Sequence, residues 1–246
     1  MGCAWLPRRA KMPFAFVLQV RLPMPARPAP SPHAAAPPKT AKAKSRIAQE
    51  NELKILDAAQ EVFAEYGLHG ATMDRIAAGA GLSKPNLHYY FAAKIDLYVA
   101  VLHRTLRIWE STLTKLDPLG DPAEELSRYI IEKVEMSRLH PLASRVFASE
   151  ILRGAPALHH YLSTELRELV ETKAKVIRGW IAQGKLACVD PHHLIFLIWS
   201  ATQHYADFLP QVLAVTGKAR FQAKDFQAVE QSLTQILLRG LLVRAD

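Results

Sequence analysis

The sequence predicts an all-α fold, and three observations predict it. From Arg46 onward the apolar residues recur at helical spacing, and no segment alternates with a period of two over a useful length. Asp121-Pro122 and Asp190-Pro191 each place an N-capping carboxylate before a proline at the first helical position. Gly67, Gly154-Ala155-Pro156 and Gly184 stand where periodic stretches stop. Together they give about nine helices. The 246 residues are enough to bury a core and form one or two domains.

The first stretch, residues 1–45, belongs to another regime. Nine of the 16 prolines fall within residues 1–38, among runs of alanine, so a packed fold is not expected there. Arg8, Arg9 and Lys11 precede a short apolar run, but Gln19 interrupts it and Arg21 with more prolines follows, which does not make a signal peptide. The composition predicts a disordered basic arm, or a translation start further along at Met12 or Met24. Lys39, Lys42, Lys44 and Arg46 adjoin the first helix and are candidates for phosphate contact. They would equally suit a solvated linker.

Ile55, Ala59, Val62, Phe63 and Tyr66 keep a 3.6-residue period that ends at Gly67, a natural C-cap position. Two short helical patterns then flank the turn Gly79-Ala80-Gly81-Leu82, and Ser83 is placed to cap the second. Leu87 and Phe91, one turn apart, face a core, which leaves Lys84, Pro85, Asn86, His88, Tyr89 and Tyr90 near an exposed edge. This is the layout of a helix-turn-helix, whose second helix lies in the major groove of DNA. Lys94 opens a further helix carrying Leu97, Val101, Ile108 and Trp109, and Asp117-Pro118 breaks it. Gly154-Ala155-Pro156 and Gly184 bracket a predicted helix of almost thirty residues. The last helix carries Phe226, Val229, Leu233, Ile236, Leu237 and Leu241. Pairing the last two helices with their copies across a two-fold axis is expected to bury that stripe.

Charge narrows the partners. Residues 1–49 hold nine Lys and Arg and no Asp or Glu, which leaves 22 basic against 23 acidic residues in 50–246. Within 50–96, four cations (Lys54, Arg75, Lys84, Lys94) face seven carboxylates. Attraction to DNA phosphates must then come from a few placed cations and the arm. Two cysteines make no disulfide framework, and no run approaches the ~20 apolar residues of a membrane span. A soluble, cytoplasmic protein is expected.

Residues 47–96 resemble the DNA-binding domain of the TetR family of repressors, in the apolar spacing, the glycines and the Tyr89-Tyr90-Phe91 ending. The resemblance implies that Lys84, Pro85 and Asn86 approach bases, that Tyr89, Tyr90 and Lys94 touch phosphates, and that Thr72 starts the supporting helix. His88 departs from the aromatic residue that many members carry. Pro141–Phe147, Gly179-Trp180, Gly184–Ala187, Asp190–Phe196 and Ile198–Phe208 are similar to the RutR-type regulators of pyrimidine utilisation. The implied division is 1–45 arm, 46–96 DNA-binding domain and 97–246 effector-binding and dimerisation domain. The implied partners are a palindromic double-stranded operator, a pyrimidine effector such as uracil or thymine, and a second copy of the chain. A regulator with another effector, or with none and a controlling partner, fits the same scaffold.

The 198–208 stretch supports that reading chemically. Trp199, Gln203 and Asp207 are spaced i, i+4, i+8 and share one helical face. Burying an amide and a carboxylate unpaired would cost about 1–3 kcal/mol each. A primary amide offers a donor beside an acceptor, which matches the N–H and carbonyl edge of uracil or thymine. The resemblance adds Trp109, from the helix linking the two domains, to this site, and Arg145 is expected beside Asp207 on its polar side. A polar seam between two copies would use the same face. The adjacent pairs His159-His160 and His192-His193 point their rings apart, so no metal site or other cofactor is expected. Gly-x-Ser-x-Gly, phosphate-loop and His-Glu-x-x-His motifs are absent, so an enzyme is not expected.

Overall fold

Ile55, Ala59 and Phe63, one helical turn apart, are buried along α1 (Arg46–Gly70) in the computed structural model, which describes residues 46–242. The expected arm over residues 1–45 lies outside the described residues. The helical path of α1 breaks at Gly67 (φ 64°, ψ 178°), a backbone state that a side chain would disfavour. Next come α2 (Met73–Gly79) and α3 (Lys84–Tyr90), joined by a turn whose Gly81 also has positive φ (67°). The fourth helix, α4 (Lys94–Thr114), has its first half in the same core as α1, α2 and α3. Leu87, Leu97, Val101 and Leu102 in that core are fully buried.

The remaining helices are α5 (Pro122–Leu139), α6 (Pro141–Leu152), α7 (His159–Ser163), α8 (Glu165–Ala182), α9 (Pro191–Asp207), α10 (Leu209–Thr216) and α11 (Ala223–Arg239). Asp121 caps α5 by accepting from the N–H groups of Ala123 (2.9 Å) and Glu124 (3.2 Å). Asp190 does the same for α9, accepting from His192 (2.7 Å) and His193 (3.2 Å). A second core joins the end of α4 to α5, α8, α9 and α11. Trp180 of α8 is fully buried in it and donates its indole N–H to the Pro118 carbonyl at 3.3 Å. Truncating such a side chain to alanine costs about 3–5 kcal/mol. Among the described residues no helix is long and apolar enough to cross a membrane.

Two expectations need correction. The described residues form eleven helices, not about nine. The long helix between Gly154 and Gly184 is two, because Thr164 leaves helical geometry (φ −116°, ψ −87°) and its hydroxyl donates to the His160 carbonyl at 2.8 Å. α9 and α10 separate at Phe208 because Pro210, two residues on, has no N–H to continue the ladder. The stripe of the last helix is also not free for a second copy. Phe226, Val229 and Leu238 are buried within the chain's own cores, and Leu233 and Leu237 pack against them. The large apolar side chains left exposed on α9, its C-cap and α11 are Phe196, Leu197, Phe208 and Ile236.

Candidate functional site

The reading head is built by caps and one buried anchor. Ser83 accepts from the Asn86 N–H at 3.4 Å and Pro85 occupies the first turn of α3, while fully buried Leu87 pins the helix to the core. Lys84, Pro85, Asn86 and Tyr89 consequently point outward, and Tyr89 is 81 % exposed. Tyr90 is half-buried, and its hydroxyl accepts from the Asn51 amide at 3.2 Å. Thr72 caps α2, accepting from the Arg75 N–H at 3.3 Å. Lys84 forms an exposed ion pair with Asp74 at 2.9 Å, an interaction weak enough to be exchanged for a phosphate.

Lys94 is committed elsewhere in part. Its ammonium donates to the carbonyls of Ala71 (2.7 Å) and His69 (3.3 Å), tying the start of α4 to the turn before α2. One of its three N–H donors is left for a phosphate. Sequence reasoning counted Arg75 only as a charge. Its guanidinium lies 4.1 Å from the Tyr66 ring centroid, a cation–π contact that holds it at the head's surface.

A chamber of about 410 Å3 of empty space, its mouth included, lies between α4, α5, α6, α8 and α9. Trp109, Trp199 and Gln203, singled out from the sequence, all line it. Trp109 meets Phe147 edge to face at 4.7 Å between centroids, and the Trp199 indole donates to the Tyr129 hydroxyl at 2.6 Å. The walls are therefore flat and aromatic, and each indole is held by another residue lining the same chamber.

The polar side differs from expectation. Asp207 does not line the chamber; it accepts from the Ser144 hydroxyl and faces Lys133 from behind. Arg145 is exposed, because α6 turns Ala143, Ser144 and Val146 inward instead, and it takes no part in the chamber. The group that sequence reasoning missed is Lys133. It is 3 % exposed, lines the chamber, and sets its ammonium 4.8 Å from the Trp109 ring centroid. Burial lowers its pKa to about 8, and the Asp207 charge offsets part of that. Burial likewise raises the Asp207 carboxyl against the opposing Ser144 and Lys133 contributions. Tyr129 has its phenol raised by burial. The chamber thus offers an amide, an ammonium, a phenol and the Glu110 carboxyl between aromatic planes. Among the described residues no group of three His, Cys, Asp or Glu could hold a metal ion.

Known proteins match most of the described chain. The model of "Bacterial regulatory proteins, tetR family" covers residues 55–101, and that of "YcdC-like protein, C-terminal region" covers 102–244. The HTH-type transcriptional regulator RutR of Escherichia coli strain K12 is 43 % identical over 206 residues, covering 84 % of this chain and 97 % of its own. RutR of Shigella flexneri matches to the same extent. A TetR-like transcriptional regulator from Rhodococcus sp. RHA1 superposes with a TM-score of 0.59 at 25 % identity, over 80 % of this chain and 98 % of its own. These matches identify a homologue of RutR that regulates transcription and is not an enzyme. The chain belongs to the TetR family of bacterial regulatory proteins.

Proposed function

We propose that the chain is a repressor that binds a palindromic operator as a homodimer and releases it when a pyrimidine such as uracil or thymine enters the chamber, thereby controlling pyrimidine catabolism. Residues 46–96 serve as the reading head and 97–246 as the sensing and dimerising part. Lys84, Pro85 and Asn86 meet bases, while Tyr89, Tyr90 and Lys94 hold phosphates and Thr72 supports them.

The observation that carries the effector reading is the chamber's composition. Trp109 and Trp199 supply planes for a flat ring, and the Gln203 amide suits a neighbouring N–H and carbonyl. Lys133 supplies a cationic donor for a second carbonyl, a contact worth about 1.5–3 kcal/mol. Asp207 acts through Lys133 and does not touch the ligand. Trp109 lies fifteen residues after Lys94 on α4, about 22 Å along one rigid helix. A ligand that shifts Trp109 therefore tilts the helix that positions the head. Two heads grip one operator only at one spacing, so a ligand favouring another spacing releases the DNA.

Calorimetric titration of the full chain with uracil, thymine, cytosine and purines tests this. Saturable binding of uracil or thymine, lost in Gln203→Leu, is expected. Absence of binding by every pyrimidine overturns the effector, and the regulator then answers to another ligand or to a partner.

A further inference from the structure

One chamber-lining group has no task in that account. Glu110 stands on α4 beside Trp109, and its Oε1 is buried without a hydrogen-bond partner. An acceptor buried and unmatched is costly, and evolved interiors seldom keep one without a use. The groups around it do not supply the missing donor. Arg107, one turn back on α4, attracts it and Glu165 of α8 repels it, while Lys133 of α5 shares the chamber. Burial and Glu165 raise its pKa against the pull of Arg107. Protonated or ionised, the carboxyl keeps acceptor capacity.

We propose that Glu110 is a specificity-determining residue that accepts a hydrogen bond from a ring N–H of the effector. This rests on the pyrimidine reading and extends it. A uracil ring carries two N–H groups flanking a carbonyl, and Gln203 can match only one of them. Glu110 takes the other, so the chamber demands both donors and rejects a ring with either nitrogen blocked. Such a site discriminates strongly, because the wrong ligand leaves a buried polar group unmatched.

The test is calorimetry of the full chain, its Glu110→Ala and Glu110→Gln variants and Gln203→Leu, each against uracil, 1-methyluracil and 3-methyluracil. The wild type should prefer uracil to both methylated rings by about tenfold or more. Glu110→Ala should weaken uracil binding by a similar factor and lose discrimination against one methylated isomer only. Gln203→Leu should lose measurable binding of all three rings, which marks the share of the amide. Glu110→Gln, which retains an acceptor oxygen of the same reach, should preserve the order of preference. Melting of each unliganded variant by circular dichroism reports the fold separately, and relief of the unmatched carboxyl should leave Glu110→Gln no less stable. Glu110→Ala that binds uracil like the wild type, or that keeps both discriminations, overturns the assignment while leaving the pyrimidine reading standing. A wild-type protein that binds none of the three rings overturns the pyrimidine reading and this assignment with it.

Discussion

Lys133→Met removes a buried charge and keeps an unbranched side chain of similar length. In the unliganded chain burial draws the Lys133 ammonium from 10.5 down to about 8, even with Asp207 attracting it. At about 1.4 kcal/mol per unit, that shift costs the folded state about 3 kcal/mol at neutral pH. The sign follows from the protons. The unfolded chain holds this proton up to 10.5, whereas the folded chain releases it near 8, so wild-type stability contributed here rises across that window. Lys133→Met lacks the proton, and its advantage is largest below pH 8 and fades toward 10.5. Asp207 loses an attractive neighbour but keeps the Ser144 hydroxyl, which trims the gain. A net gain of about 1–3 kcal/mol raises Tm by roughly 3–10 °C for a chain of this size. Effector affinity moves the other way, falling by roughly tenfold or more with the lost charge-assisted hydrogen bond. Circular dichroism melts near neutral pH and near pH ~10, with calorimetry on uracil, measure both. A variant that melts several degrees lower at neutral pH, or a Tm difference that does not shrink with rising pH, refutes the claim that the charge is held at a cost for the ligand.

Lys94→Ala should weaken binding to every DNA sequence alike and reduce the slope of log affinity against log salt by about 1. Because Lys94 also holds the Ala71 and His69 carbonyls, it should lower Tm by a few degrees in the same preparation; an unchanged melt would show those bonds to be idle. Asn86→Ala should instead change base preference at one operator position, read by binding to a randomised site, and uniform weakening would remove it from the bases. Charging Leu197 and Ile236 together should give monomers in sedimentation while the fold survives, since both are exposed in a single chain. An intact dimer would place the interface elsewhere. Deleting residues 1–46 should cost operator affinity mainly at low salt, and a loss that is the same at every salt concentration would deny the arm an electrostatic role.

The caps were the most legible part of the fold. Ser83, Asp121 and Asp190 announce helix starts because a short polar side chain before an apolar run has few other uses, and each accepts the expected N–H groups. Helix breaks inside a periodic stretch were not legible. Thr164 ends α7 through local geometry, while the apolar period runs on through it. The chamber was half visible. Trp199 and Gln203 stood out as polar and aromatic groups sharing a helical face, yet the same rule carried Asp207 one turn too far, behind Lys133. Lys133 itself left a signal: it occupies the buried register of Leu126, Tyr129, Ile130, Val134 and Ser137 on α5. A lysine in a core stripe is paired or functional, and its position alone could have nominated it. Arg145 fails by the same periodicity, since its neighbours Ser144 and Val146 take the inward positions of α6.

If one chamber and one reading head share a single equilibrium, linkage makes it measurable. Operator affinity is measured with and without saturating uracil, and uracil affinity with and without saturating operator. Both should fall by one common factor, in the roughly 5–150-fold range of allosteric coupling. Uracil that binds at the chamber yet leaves operator affinity unchanged would contradict it.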